Sequence, residues 1–159
     1  MTCIDSADFL RYCRKPPIQG KKMNYVEISQ KTMSHLYQAH ATLKDSPLDQ
    51  HLRALLELRV SQINGCAYCC SIHSNEAKKF GVAAHKIEQL ENWKESADFS
   101  DAEKEALSWA EALTTLSTPL KVKETKLSAY FNERKIVDIT ICISLMNALN
   151  RLAISLRND

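Results

Sequence analysis

The sequence predicts an all-α protein: a compact single domain of about six or seven helices that assembles into an oligomer. Only 3 glycines and 4 prolines interrupt the 159 residues, of which 45% are apolar. Few turn formers among many apolar residues favour long regular elements, and apolar side chains recur at helical spacing between start and stop signals. The length suits one domain. Residues 1–22 mix polar and basic side chains and are predicted to form an N-terminal arm, and the helical domain is predicted over residues 23–159.

Start and stop signals divide this domain into segments. Helices are predicted, in order, over residues 26–43, 46–64, 66–81, 85–93, 100–116, 122–130 and 133–157. The second begins with Ser46 as cap and Pro47 at the first helical position. The third ends at Gly81, which is a natural left-handed cap. Ser100 and Glu103 form a capping box for the fifth.

The last predicted helix is apolar on most of its circumference. Such a helix must be covered on nearly all sides, and short neighbouring helices can hardly do that alone, so subunit contacts are expected. The β-branched run at residues 136–143 leaves a central strand as an alternative, although the sequence offers no second strand to pair with it.

Three of the six cysteines lie at the junction of the second and third helices. Asn64-Gly65 is a strong turn signal, so a new helix should begin near Cys66. Cys66 and Cys69 then form a Cys-x-x-Cys pair in its first turn, where the helix N-terminus favours a thiolate. His73 follows Cys69 by one turn on the same face and can take its proton. This spacing predicts a redox dithiol with Cys69 as nucleophile and Cys66 as its partner.

Other uses of these residues remain open. Cys66, Cys69 and His73 could be three ligands of a structural zinc ion, with Cys70 or His85 as the fourth, although such sites usually draw on a second, separated ligand pair. A purely structural disulfide would close too small a loop to stabilise much. Cys70 is most simply a small buried apolar residue.

Charge and composition limit the partners. The net charge is +2 and no basic run stands out, so neither a nucleic acid nor a membrane is expected as a partner. The N-terminus lacks the apolar core of a signal peptide, and no stretch is expected to span a bilayer. The protein is therefore expected in the cytoplasm, where a Cys-x-x-Cys pair is more often catalytic than structural.

Several blocks of sequence follow one family pattern in order. They are residues 58–69 (LRVSQINGCAYC), His73, residues 93–96 (WKES), residues 99–101 (FSD), residues 109–114 (WAEALT) and residues 136–140 (IVDIT). From about residue 23 to residue 157 the chain resembles the AhpD-like alkylhydroperoxidase group of the carboxymuconolactone decarboxylase family.

The resemblance implies an all-α fold, a homo-oligomer and a peroxide-reducing dithiol that needs no cofactor and no metal. It implies that peroxide oxidises Cys69 to a sulfenic acid and that Cys66 donates a proton and then closes the disulfide. It also implies that His73 assists the proton transfers. The expected partners are a peroxide substrate and an external dithiol reductant.

One position departs from the family pattern. The family usually has a glutamate twelve residues before the first cysteine, where this chain has Ala54. Glu57, one turn further along the same helix, is the candidate replacement in the proton relay. Its alternative role is a surface pair with Arg53 or an unpaired acid. Tyr68 stands where some members have a histidine, so thiol exchange or redox sensing with little peroxidase turnover is the alternative function.

Overall fold

A computed structural model of the chain describes residues 23–116 and 119–156. These residues contain no strand and form eight α-helices: α1 (Tyr25–Ile28), α2 (Gln30–Thr42), α3 (Gln50–Ile63), α4 (Ala67–Lys79), α5 (Ala84–Glu88), α6 (Asp101–Thr115), α7 (Leu120–Leu127) and α8 (Glu133–Leu156). Short 3-10 turns lie at Leu43–Asp45 and Leu90–Asn92. The all-α prediction is confirmed, and the strand alternative for residues 136–143 is wrong because they lie within α8. The predicted N-terminal arm lies outside the described residues.

The helix boundaries follow most of the sequence signals. The predicted helix over residues 85–93 is divided into α5 and the 3-10 turn at Leu90–Asn92. Two further differences concern the first and second predicted helices. The first predicted helix is split at Ser29 into α1 and α2. Ser46 does not cap the second: Asp49 does, because its side chain accepts a hydrogen bond from the Leu52 N–H at 3.0 Å. The Ser46 hydroxyl instead donates to Asp138 at 2.6 Å, a contact with a distant helix that the local sequence does not reveal.

Helix α3 lies at the centre of the fold and packs against α4, α6 and α8. It is buried over most of its circumference, because every side chain from Leu52 to Leu58 is buried. Two of these side chains, Arg53 and Glu57, are charged. Buried charges are costly unless they are paired, so this helix brings an ionic group into the interior, beside the start of α4.

Helix α8 is covered on one side by the other described helices. Its buried residues are Asp138, Ile139, Cys142, Ile143, Met146, Asn147, Asn150 and Ala153. Val137 and Ile141 are 52% and 42% exposed, so part of its apolar surface has no cover within the described chain.

By length and composition alone α8 could cross a bilayer, so the expectation that no stretch reaches that length was wrong. The core helix of a soluble protein meets the same criterion.

Glu111 on α6 joins three segments of the fold. Its carboxylate accepts hydrogen bonds from Arg59 Nη2 at 2.7 Å and Trp93 Nε1 at 2.9 Å, and Lys94 Nζ lies 2.8 Å away. Burial alone would raise the pKa of Glu111, but the hydrogen bonds from Lys94, Arg59 and Trp93 together outweigh it and lower the pKa. The ionised carboxylate therefore stabilises the packing of α6 against α3.

Candidate active site

The turn between α3 and α4 places the two cysteines. Asn64 caps α3, Gly65 adopts the left-handed conformation with φ +68°, and Cys66 is the N-cap of α4. Cys66 and Cys69 are joined by a disulfide, with their Cα atoms 5.3 Å apart. Cys66 Sγ also accepts a hydrogen bond from the Cys69 N–H at 3.3 Å. The structure thus brings together the two residues that the sequence predicted as a redox pair.

The two sulfurs differ in their access to a cavity of about 350 Å³ beside α4. Both cysteines are nearly buried, Cys66 at 3% and Cys69 at 6% exposure. Cys69 lines the cavity, and its other lining residues are Tyr25, Tyr37, His40, Tyr68, Ile72, His73, Glu76, Met146, Leu149, Asn150 and Ala153. Cys66 is not among them. A small oxidant that enters this cavity therefore meets Cys69 first.

His73 lines the same cavity and is held by a carboxylate. Its Nδ1 lies 2.8 Å from Glu76 Oε2 and 3.7 Å from Glu57 Oε2. An ionised carboxylate can only accept, so Nδ1 carries a proton and donates it to Glu76. This assignment leaves Nε2 as the basic nitrogen of a neutral imidazole. The hydrogen-bonded partner is thus Glu76, whereas Glu57, the predicted relay residue, faces His73 at ion-pair distance.

Glu57 is 1% exposed and links two histidines. His40 Nε2 on α2 lies 2.8 Å from its Oε1, opposite the oxygen that faces His73. Glu57 also pairs with Arg53, at 3.6 Å from Nε, but the pair is buried and not on the surface as the alternative role required. The hydrogen bond to Glu57 raises the pKa of His40 in spite of its partial burial. The negative charge of the buried Glu57 carboxylate is therefore compensated by His40 on α2 and Arg53 on α3.

Sequence reasoning missed His40 and Glu76 in this cluster. Glu76 follows His73 by three residues on one helix, a spacing at which an acid meets a histidine, so the signal was present. His40 reaches Glu57 from a separate helix, and no local pattern indicates that contact.

The other described cysteines are poor candidates for chemistry. Cys142 is fully buried, and burial together with the nearby Glu57 raises the pKa of its thiol well above the ordinary value. It is a core residue. Cys70 is half-buried and packs against the hydrophobic core.

The same cluster has the composition of a cation site. Ligand atoms of Glu57, His73 and Glu76 lie within 4.8 Å of one another. Because Arg53 and His40 already face Glu57, positive charge is present there without an ion. The predicted zinc alternative needed Cys66 and Cys69 as thiolates, and in this structure they are bridged. Its possible fourth ligand, His85, lies on the surface beside Asp98.

An all-α fold with a bridged Cys-x-x-Cys pair at a helix start defines an AhpD-like protein. A family model described as the carboxymuconolactone decarboxylase family matches residues 29–112. The uncharacterized protein YdfG of Bacillus subtilis (strain 168) is 30% identical over 141 residues, which cover 87% of this chain and 96% of YdfG. The chain belongs to the carboxymuconolactone decarboxylase family.

Solved structures share the fold. ATU0492 of Agrobacterium tumefaciens, a protein of unknown function named as a candidate antioxidant defence protein AhpD, superposes with a TM-score of 0.80 at 28% identity over 86% of this chain and 95% of its own. An uncharacterized peroxidase-related protein from Silicibacter sp. TM1040 gives a TM-score of 0.72 at 19% identity, over 90% of this chain and 93% of its own. At that identity the second comparison shows the fold alone.

Proposed function

We propose that this protein is a thiol-dependent peroxidase that reduces peroxides with the Cys66–Cys69 dithiol. The observation that carries the proposal is the disulfide between Cys66 and Cys69, of which Cys69 lines the cavity. His73 lines the same cavity, and its Nδ1–H donates a hydrogen bond to the Glu76 carboxylate. The names of the structural neighbours, an antioxidant defence candidate and a peroxidase-related protein, support the same class of reaction.

The cycle begins at Cys69. Its thiolate attacks one oxygen of the peroxide, so an S–O bond forms, the O–O bond breaks, and water or an alcohol leaves with a proton. Cys66 supplies that proton and becomes a thiolate itself. It then attacks the sulfenic acid sulfur and closes the disulfide, and the hydroxide that leaves takes the proton held on His73 and becomes water. An external dithiol supplies two electrons and two protons, opens the bridge and leaves as its own disulfide.

The histidine cluster moves and holds protons during this cycle. With Nδ1 donating to Glu76, His73 Nε2 can take the thiol proton of Cys69. The imidazolium that forms is stabilised by the carboxylates of Glu57 and Glu76, which face Nδ1. His40 holds Glu57 in place from the opposite side. The chain thus has a relay built on Glu57 although the usual family position carries Ala54.

The test replaces Cys69 with serine and follows peroxide consumption under a dithiol reductant. We expect turnover to vanish, since no other described cysteine combines cavity access with a partner thiol. The matched control is Cys70→Ser, one residue further along the same helix, which should keep its turnover. Without the reductant, the Cys66→Ser variant should consume about one equivalent of peroxide per chain and then stop at the sulfenic acid, because it has no partner thiol to close the bridge. Undiminished turnover in the Cys69→Ser variant would contradict the proposal.

A second copy of this chain is the proposed cover for the exposed side of α8. Val137 and Ile141 lie one turn apart there and are about half exposed, and contiguous exposed apolar surface marks an interaction site. The same helix contributes Ala153 to the buried cluster that contains Cys66 and Cys69. Because one helix carries both these exposed apolar side chains and a member of the cysteine cluster, a redox-sensing oligomer is the second candidate function. That candidate predicts an oxidation-dependent change in assembly size with little peroxide turnover.

A further inference from the structure

One buried polar group beside the dithiol lacks a partner among the described residues. Asn150 on α8 is 1% exposed and lines the same cavity as Cys69. Its Nδ2 makes no hydrogen bond within the described chain. Its Oδ1 has one long contact, at 3.4 Å from Ser61 Oγ. Buried amides are nearly always hydrogen-bonded, because the water they lose must be replaced, so this donor needs an explanation.

A second asparagine on the same helix shows how a structural amide is satisfied at this depth. Asn147 Nδ2 donates to Thr114 Oγ1 at 3.1 Å and to the Ile143 carbonyl at 3.0 Å. Its Oδ1 accepts from Asn64 Nδ2 at 2.9 Å. The packing around α8 therefore provides partners for one amide and leaves the Asn150 donor without one, on the side of the cavity.

Asn150 and Cys69 line the same cavity. Ala153, one turn further along α8, forms a buried cluster with the two cysteines. The sulfur of Cys66 already accepts the Cys69 N–H and does not line the cavity. We propose that Asn150 Nδ2 donates a hydrogen bond to the sulfur of Cys69 when the disulfide is open.

The redox change creates the missing acceptor. An external dithiol breaks the S–S bond by giving it two electrons and two protons, and is itself oxidised to a disulfide. Cys66 keeps its proton, and Cys69 gives its proton to His73 and becomes a thiolate. A bridged sulfur is a weak, neutral acceptor, whereas a thiolate is charged and forms a stronger hydrogen bond. Asn150 therefore favours the reduced form and the thiolate of Cys69.

This inference rests on the proposed function only in requiring that the bridge opens and closes, and its test uses no peroxide. The full-length protein is equilibrated with mixtures of reduced and oxidised dithiothreitol, and the bridged fraction is measured. For Asn150→Leu we expect the equilibrium to shift about tenfold toward the disulfide, which is about 30 mV in a two-electron couple. Asn150→Asp should shift it further, because a carboxylate repels the thiolate. In both variants the ultraviolet absorbance of the Cys69 thiolate should appear at higher pH.

Asn147→Leu is the matched control. It removes three hydrogen bonds and should lower the stability of the fold, but it should leave the redox equilibrium unchanged. Thr114→Val removes one of the same bonds and serves if the first control does not fold. A wild-type equilibrium in Asn150→Leu, or an equal shift in a control, would overturn the inference. A bridge that excess dithiothreitol cannot open would overturn it together with the proposed function, whereas normal redox behaviour without peroxide turnover would refute the proposed function alone.

Discussion

Replacing Glu57 with glutamine removes a negative charge from the centre of the site and almost no volume. The carboxylate is 1% exposed. It lies 2.8 Å from His40 Nε2, 3.6 Å from Arg53 Nε and 3.7 Å from His73 Nδ1. When His73 takes the Cys69 proton, it becomes an imidazolium that faces Glu57. Glutamine cannot stabilise that charge, so we expect Cys69 to be oxidised more slowly.

The size of the effect follows from these distances. Two unit charges about 4 Å apart interact by about 4 kcal/mol at an effective dielectric constant of about 20. His40 and Arg53 offset part of the Glu57 charge, so we expect about 1–2 kcal/mol to remain, a rate loss of about 5- to 30-fold. Glu76 is closer to His73 but its side chain is 39% exposed. An exposed ion pair is worth about 0.2–1 kcal/mol, so Glu76→Gln should cost at most about fivefold.

The assay mixes the pre-reduced protein rapidly with an organic hydroperoxide and follows the loss of thiols in a single turnover. Single-turnover conditions exclude the external reductant from the measured rate. Glu76→Gln is the matched control, since it removes an equal charge from the same imidazole at a more exposed position. If Glu57→Gln reacted within about twofold of the wild type, or faster than Glu76→Gln, the buried carboxylate would not act as we infer.

Three further predictions concern pH, stability and assembly. His40→Gln should lose most stability below about pH 6.5: Glu57 raises the pKa of His40, and the stabilisation from such a group is lost as pH rises through its folded pKa. Chemical denaturation should show this trend, with His35→Gln at an exposed position of the same helix as the control. Glu111→Gln should cost about 1–3 kcal/mol at neutral pH, and the difference should shrink in acid as pH falls through the lowered pKa of Glu111; equal costs at both pH values would be evidence against this. Val137→Ser with Ile141→Ser should reduce the assembly mass measured by light scattering, and an unchanged mass would remove α8 from the proposed interface.

The part of the site that is local in sequence could be predicted. Cys66, Cys69 and His73 belong to one helix and its cap, so their spacing alone places them together. The capping box of Ser100 and Glu103 is likewise present as predicted, because both partners lie within one turn. Local spacing fixes such geometry before any tertiary contact forms.

Contacts between distant helices could not be predicted. His40 reaches Glu57 from α2, and Asn150 reaches the cavity from α8. The error at Ser46 has the same origin, because Asp138 binds its hydroxyl from a helix far along the chain. A single sequence carries no signal for these pairs.

Helix α8 shows a different limit. Its apolar pattern predicted cover on nearly all sides, in part by a second subunit, but it did not predict that the described chain buries Asn147 and Asn150 and leaves Val137 and Ile141 exposed. When most positions of a helix are apolar, periodicity no longer distinguishes the inner face. The inner face of α8 contains the polar residues Asp138, Asn147 and Asn150 beside its apolar side chains.

The most direct measurement is a thiol count on the reduced full-length protein before and after one equivalent of an organic hydroperoxide, with mass mapping of any bridge. The sequence contains six cysteines. We predict that two thiols per chain disappear and that the bridge joins Cys66 to Cys69. An unchanged thiol count, or a bridge that involves Cys70 or Cys142, would contradict the central claim.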